Sequence, residues 1–329
     1  MRSNEVSAVS TAASYRNLPV LVLGASGFIG ACTARALYAR GASVIVTARD
    51  ADRVAKALGP ISSCVRTVIA DLAERGAAAR LIDDTAPALV FNLAGYGVDR
   101  SEQALPLMAA INTRMVAELC THMAGRPTGT WSGVKLVHAG SALEYGRIDG
   151  PLHETAEPHP TTAYGRTKLE GTLAVQACYK VSGFEAVVAR LFTVYGPGDY
   201  PDKLLPALLR TASSGMPLRL SSGRQRRNFV YVEDVVEGLL RLAACRASAG
   251  QIVNLATDHL TSVRDFAETA ADVLGIDRAL LHFGALPDRD DEMWHDSVDV
   301  SRLRSLTSWL PPTSIAEGIR RSRESADVC

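Results

Sequence analysis

Tyr164 and Lys168, in the run Tyr164-Gly165-Arg166-Thr167-Lys168, are four residues apart, which on a helix puts them one turn from each other on the same face. The surrounding pattern predicts a helix from Thr162 to Lys180 with Thr161 or Thr162 as its N-cap. An ammonium beside a phenol favours phenolate and should lower the Tyr164 pKa towards working pH. Such a pair can exchange a proton with a carbonyl or alcohol oxygen. The same spacing also occurs on solvated helix faces. The chemistry therefore has to be judged by what the rest of the chain would place around the pair.

Strand and helix patterns alternate from residue 18 onwards. The first strand, Val20-Leu21-Val22-Leu23, runs into Gly24-Ala25-Ser26-Gly27-Phe28-Ile29-Gly30 and a helix ending near Arg40, closed by Gly41. Further apolar strands are expected at 43–48, 65–70, 89–93, 136–139, 186–191 and 251–255. Continuously apolar strands separated by helices predict an α/β fold, a doubly wound parallel sheet covered on both faces. After Tyr195-Gly196-Pro197-Gly198 the regularity weakens. Helices are expected at 204–214, 233–245, 263–274 and 314–323, with a short extended segment at 218–221. This organisation predicts a dinucleotide-binding domain from 18–194 plus about 229–257. A smaller, interleaved C-terminal substrate-binding lobe would take about 195–228 plus 258–329, and residues 1–17 would be a disordered tail.

The 329 residues carry 35 Lys+Arg against 35 Asp+Glu, and the absence of a basic block argues against a nucleic-acid partner. No apolar run reaches the length of a membrane span, and the first 17 residues lack the apolar core of a signal peptide. The six cysteines are scattered, as expected for reduced thiols in a cytoplasmic protein. The histidines lack metal-ligand spacing, so no metal is expected.

Gly24, Gly27 and Gly30 stand between a strand and a helix, the setting that a dinucleotide's pyrophosphate requires. Gly24 would allow the turn, Gly27 the approach of the backbone to phosphate, and Gly30 close helix–strand packing. The bland reading is a glycine-rich turn with no ligand. The second strand ends Thr47-Ala48-Arg49. NAD calls for a carboxylate near this point, whereas Arg49 can grip a 2′-phosphate bidentately. NADP(H) is therefore the preferred cofactor, with NAD(H) as the alternative. Asp50 lies too far along and could simply cap the next helix. Asp71 could bond the adenine amino group or merely form a turn.

Six motifs carry a family likeness over nearly the whole chain. They are the Gly24–Gly30 loop; Gly140-Ser141-Ala142-Leu143-Glu144-Tyr145-Gly146; Tyr164–Lys168; Arg190-Leu191-Phe192-Thr193-Val194-Tyr195-Gly196-Pro197; Arg227-Asn228-Phe229-Val230-Tyr231-Val232-Glu233-Asp234; and Thr307-Ser308-Trp309-Leu310-Pro311. The chain resembles the extended short-chain dehydrogenase/reductases, the NAD(P)-dependent epimerase/dehydratase group acting on nucleotide sugars. The resemblance implies a Rossmann-type domain, a nucleotide-sugar substrate and a homodimer. In its terms Ser141 bonds the substrate oxygen, Tyr164 is the acid/base, and Lys168 holds the nicotinamide ribose and tunes Tyr164. Asn112 would complete a proton relay or brace the local backbone. Along with the loop residues Ser26, Phe28 and Ile29, it assigns Leu72, Leu93, Ala94 and Gly95 to the cofactor, and also Phe192 and Val194. Substrate contacts would come from Ala142, Thr193, Arg227 on the pyrophosphate, and Arg289 as a second arginine. The acidic neighbours of Arg289 could instead hold it in surface pairs, and Arg224 and Arg226 read as solvated.

The group's dehydratases carry an acid and a base two and three residues before the tyrosine of the Tyr-Gly pair. Here Leu143 and Ala142 occupy those places, and neither can move a proton. Glu144 is one residue off, which in an extended segment would turn it to the opposite face. The expected reaction is NADPH-dependent reduction of an NDP-4-keto-6-deoxy sugar. The alternatives are a nucleotide-sugar epimerase, a reductase of a non-sugar ketone, and a non-catalytic cofactor-binding regulator.

Overall fold

The computed structural model describes residues 15–99, 101–126, 131–148, 150–288 and 295–326. The first strand, β1 (Pro19–Leu23), leads into α1 (Phe28–Ala39), followed by β2 (Ser43–Ala48), α2 (Ala51–Leu58), β3 (Arg66–Ile69), α3 (Ala77–Thr85) and β4 (Leu89–Asn92). Helices α4 (Leu105–Ala109) and α5 (Met115–Ala124) are joined by a π-helical turn, Ala110–Arg114. Then come β5 (Leu136–Ser141), a 3₁₀ turn (Ala142–Glu144), α6 (Ala163–Ser182), β6 (Ala186–Leu191) and β7 (Thr193–Tyr195). The remainder is α7 (Leu204–Ser214), β8 (Leu218–Arg219), β9 (Arg226–Arg227), β10 (Phe229–Tyr231), α8 (Val232–Ala244), β11 (Ile252–Leu255), β12 (Thr261–Ser262), α9 (Val263–Leu274), β13 (Leu281–His282), α10 (Ser301–Thr307) and α11 (Ile315–Ala326).

Seven strands form one parallel sheet in the order β3-β2-β1-β4-β5-β6-β11. Its strands are apolar throughout because both faces are covered. On one face Val20, Val22, Val46, Phe91 and Val137 pack with Ala34 and Leu37 of α1 and with Val235, Leu239 and Leu242 of α8. On the other, Leu21, Leu23, Val90 and Val188 pack with Leu81 of α3, Val116 and Leu119 of α5, and Val175 of α6. The strand order reverses between β1 and β4, and an open sheet of this kind offers a ligand crevice beyond the strand ends at that point.

A second core gathers around three aromatic rings, with Phe229 stacked on Phe266 at 4.2 Å and Tyr195 set edge-on to Phe266 at 5.2 Å. Leu205 and Leu208 of α7, Ala267 and Ala270 of α9, and Ile319 of α11 complete it. Phe28, Ile29 and Cys32 of α1 pack against this core, and Ile29 and Cys32 also border the sheet core. The C-terminal stretch is divided, because Leu303 of α10 lies in the sheet core whereas Ile319 of α11 does not.

One boundary needs correction. Residues 1–14 lie outside the described residues, but the expected tail to residue 17 does not hold at Tyr15. That ring is fully buried, packs on Trp131 at 5.4 Å, and donates its hydroxyl to the Leu240 carbonyl at 2.7 Å. A long-range contact to α8 holds it, and no local pattern announces such a contact.

Candidate active site

The glycine loop sits at the switch point, and its shape depends on the missing side chains. Gly24 has φ +82°, and a Cβ there would stand 2.8 Å from the Leu93 carbonyl group and the Ala94 nitrogen at the end of β4. A Cβ on Gly30 would run into the Gly24 carbonyl, so α1 can begin this close to β1 only without one. Gly27 is the N-cap of α1 and supplies no capping side chain, and Ser26 beside it is exposed. The first amides of α1 thus keep their positive dipole end for an anion. These residues fit a dinucleotide's pyrophosphate. Phe28 and Ile29 are half-buried.

At the end of β5, Ser141 caps the 3₁₀ turn by accepting from the Leu143 amide at 3.2 Å. Helix α6 arrives beside this turn, its own N-cap being Thr162, whose hydroxyl accepts from the Gly165 amide at 3.0 Å. A Cβ on Gly165 would strike the Leu143 carbonyl, which explains the glycine directly after the tyrosine. Tyr164 is thereby brought beside Ser141, close enough for the serine to act on the phenol's pKa. Lys168 follows one turn on, buried, donating from Nζ to the Ala139 carbonyl at 2.5 Å.

The electrostatics differ from expectation. The Tyr164 phenol is pushed up, first by burial and then by the Glu144 carboxylate, while the hydrogen bond from Ser141 works the other way. Burial pushes the Lys168 ammonium down to about 8, with the Glu144 carboxylate holding it up. The net shift of the phenol is therefore upward, not downward. The lysine amine is directed at a strand carbonyl, and the strongest charge acting on the phenol is negative.

Asn112 lies in the π-helical turn. Its Oδ1 accepts from the Tyr96 amide at 3.0 Å, and its Nδ2 donates to the Tyr96 carbonyl at 2.8 Å and to Thr167 Oγ1 at 3.0 Å. The amide therefore braces the loop after β4 against α6. That loop carries Leu93, Ala94 and Gly95, and at Gly97 it comes within van der Waals reach of the Tyr164 ring. A Cβ on Gly171 of α6 would strike the Asn112 carbonyl, so the close approach of helix and π turn also depends on a glycine.

Arg49, exposed at the end of β2, lines a cavity of about 570 Å³ together with Asp71, Glu74 and Arg80. Asp50 caps α2 by accepting from the Asp52 amide at 2.9 Å. Asp71 forms a turn by accepting from the Ala73 amide at 2.9 Å, and Leu72 beside it is half-buried. Phe192, Thr193 and Val194 pass from the sheet into the second lobe, where β7 pairs with β10. Arg227 lies on β9, opposite Thr261 of β12, and the His295 imidazole is depressed first by burial and then by the Arg227 guanidinium. Arg226 is exposed, as expected, yet donates to the Leu260 carbonyl at 3.3 Å. Arg289 lies outside the described residues.

Sequence reasoning missed the group behind the serine. Glu144 is not on an extended segment. The 3₁₀ turn folds it back beneath Ser141, where it is fully buried and paired with Arg190 at 2.9 Å. The signal was present, since a serine followed three residues later by glutamate is a capping box. Apolar Ala142 and Leu143 remain beside Ser141, so no acid takes the places where a dehydratase needs one.

The sequence profile of the "NAD dependent epimerase/dehydratase family" matches residues 20–256. Over 311 residues the chain is 29% identical to a dTDP-6-deoxy-L-talose 4-dehydrogenase (NAD(P)(+)) of Kitasatospora kifunensis, covering 92% of this chain and 93% of that protein. It is 29% identical over 185 residues to the Bacillus subtilis (strain 168) "Uncharacterized UDP-glucose epimerase YtcB", spanning 56% of this chain and 57% of that one. The structure of MoeE5 in complex with UDP-glucose and NAD superposes with a TM-score of 0.78 at 29% identity, covering 94% of this chain and 98% of the other. The glycine loop, the Ser141–Tyr164–Lys168 group and the profile over most of the chain agree, and the protein is an enzyme of the NAD-dependent epimerase/dehydratase family, an extended short-chain dehydrogenase/reductase.

Proposed function

We propose that this enzyme reduces the keto group of an NDP-4-keto-6-deoxy sugar with NADPH. The observation that carries the reading is the placement of Ser141 at the 3₁₀ turn against Tyr164 at the start of α6, with apolar Ala142 and Leu143 beside them, an arrangement that can polarise and protonate an oxygen but cannot eliminate water. Arg49 at the end of β2 supports the choice of NADPH.

NADPH, when bound, supplies the hydride for the ketone carbon. The chain holds it at the glycine loop and the start of α1, with Arg49 for the 2′-phosphate and Lys168 for the nicotinamide ribose. As charge grows on the substrate oxygen, Ser141 donates a hydrogen bond and Tyr164 gives up its proton. A phenol whose pKa is pushed up is protonated at neutral pH and so begins the step in the donating form. Arg227 holds the substrate's pyrophosphate from the second lobe, a task suited to a planar fork that stays charged. The exposed Leu173 and Val181 on α6 support a homodimer, and sedimentation equilibrium would detect a monomer if that reading is wrong.

The test mixes enzyme, NADPH and a panel of 4-keto-6-deoxy nucleotide sugars, following absorbance and product stereochemistry. Stoichiometric loss of NADPH with one alcohol formed is the expected result. Tyr164→Phe should lower kcat by about 10²–10⁴ while leaving NADPH affinity nearly unchanged. Conversion of a plain nucleotide sugar to its epimer without net NADPH loss would replace this reading with an epimerase, the activity in the name of the Bacillus subtilis relative.

A further inference from the structure

The buried carboxylate of Glu144 belongs to none of the roles described so far. Its Oε1 accepts from the Ser141 amide at 2.7 Å, and its Oε2 accepts from Thr172 Oγ1 at 3.0 Å and from Arg190 Nε at 2.9 Å. Thr172 is one turn beyond Lys168 and two beyond Tyr164, so all three lie on one face of α6. A single side chain thus fastens the serine at the end of β5 to the helical face bearing the tyrosine and the lysine. Arg190, from β6, closes the arrangement from behind, its guanidinium 4.3 Å above the Tyr145 ring and its Nη1 without a hydrogen-bond partner among the described residues. Burying a carboxylate and a guanidinium is expensive, and apolar replacements of similar volume often serve stability as well or better. A charged pair at this spot therefore points to a role beyond stability.

We propose that Glu144 is a positioning residue, which registers Ser141 against the Tyr164–Lys168 face of α6 and sets the electrostatic environment of Lys168. The proposal deepens the reductase reading and rests on it for its kinetic consequence. The charged and titratable groups around this carboxylate are Lys168 and Tyr164 from α6, Arg190 from β6, Tyr145 from the turn and His138 from β5. Burial first, and Lys168 second, hold the His138 imidazole well below its ordinary range, so that ring is neutral. Glu102 and Tyr200 act on Tyr164 from the loops across the site. With the Glu144 charge removed and Arg190 still in place, Lys168 would face a like charge and no compensating one. Its ammonium would then lose its proton at lower pH.

The experiment is a pH titration of the full-length protein labelled with ¹³Cε-lysine. Its five lysines, 56, 135, 168, 180 and 203, keep the spectrum simple, and Lys168→Arg identifies the resonance. The wild-type Lys168 signal should titrate near pH 8. In Glu144→Gln the midpoint should fall by about one pH unit or more. In Glu144→Gln with Arg190→Met it should lie between the two. The double variant removes both members of the buried Glu144–Arg190 pair together, so it carries the comparison if the single variant does not fold. The alkaline limb of kcat/KM for ketone reduction should move with the midpoint, whereas a purely structural glutamate would lower activity at every pH without moving it. An unchanged Lys168 midpoint in the variants overturns the proposal. Failure of the wild type to reduce any ketone would overturn the reductase reading alone, because the titration needs no substrate.

Discussion

In the proposed reading Arg49 serves the one position where the cofactor's two forms differ chemically; it is exposed at the end of β2, on the wall of a cavity shared with Asp71 and Arg80. A guanidinium there would meet the extra phosphate of NADPH and would have no equivalent partner on NADH. NADPH should therefore bind more tightly than NADH by about 1–3 kcal/mol, the worth of a charge-assisted bond. Arg49→Ala should remove most of that difference, and calorimetric titration with the two nucleotides measures it. Matching affinities in the wild type would exclude the assignment. At this scale the sequence was most informative where a residue type answers a local demand. Gly24 needs a positive φ, Thr162 caps a helix, and Asp50 caps the next one. Glu144 escaped because a three-residue turn has no periodicity, and reading it as extended reversed the side on which it lies. Lys168 was placed correctly on its helix, but its bond to Ala139 depends on how far α6 stands from β5, which spacing along the chain does not encode.

Helix α6 is the element on which the site depends, and its glycines decide how it is seated. Gly165 lets the helix abut the 3₁₀ turn after Ser141, and Gly171 lets it abut the π-helical turn that carries Asn112. An interior helical glycine is normally less favourable than alanine by about 0.5–1 kcal/mol, so on propensity alone Gly171→Ala should stabilise. The Asn112 carbonyl reverses that sign. The substitution should destabilise by about 1–3 kcal/mol through overpacking, measured as a lower Tm and denaturant midpoint. A rise in Tm would show that the helix shifts freely. The strands and helices themselves were largely visible, since α7 and α9 fall at the expected residues and every strand of the main sheet was anticipated within a residue or two at either end. The π-helical turn and the two-residue strands β9, β12 and β13 were not, whereas β8 falls within the extended segment expected at 218–221. Segments that short have no pattern of their own, and partners far along the chain define them.

On the scale of the whole molecule, α1 belongs to both cores. Its inner side packs on the sheet, while Phe28, Ile29 and Cys32 pack on the aromatic core of the second lobe. The chain also returns to the sheet at β11 and again at α10 before α11 completes the second lobe. Neither core can be lost while the other stays intact, so thermal unfolding should follow one cooperative transition. Calorimetry should give equal calorimetric and van't Hoff enthalpies, and two resolved peaks would refute this. The same weave bears on how such an enzyme could be given a different sugar. The lobe that would select the sugar is spread along the chain in separate stretches, with the sheet's own strands between them. Exchanging it through a single cut-and-paste junction would tear out part of the sheet. A new preference has to be introduced by point substitutions inside an intact weave.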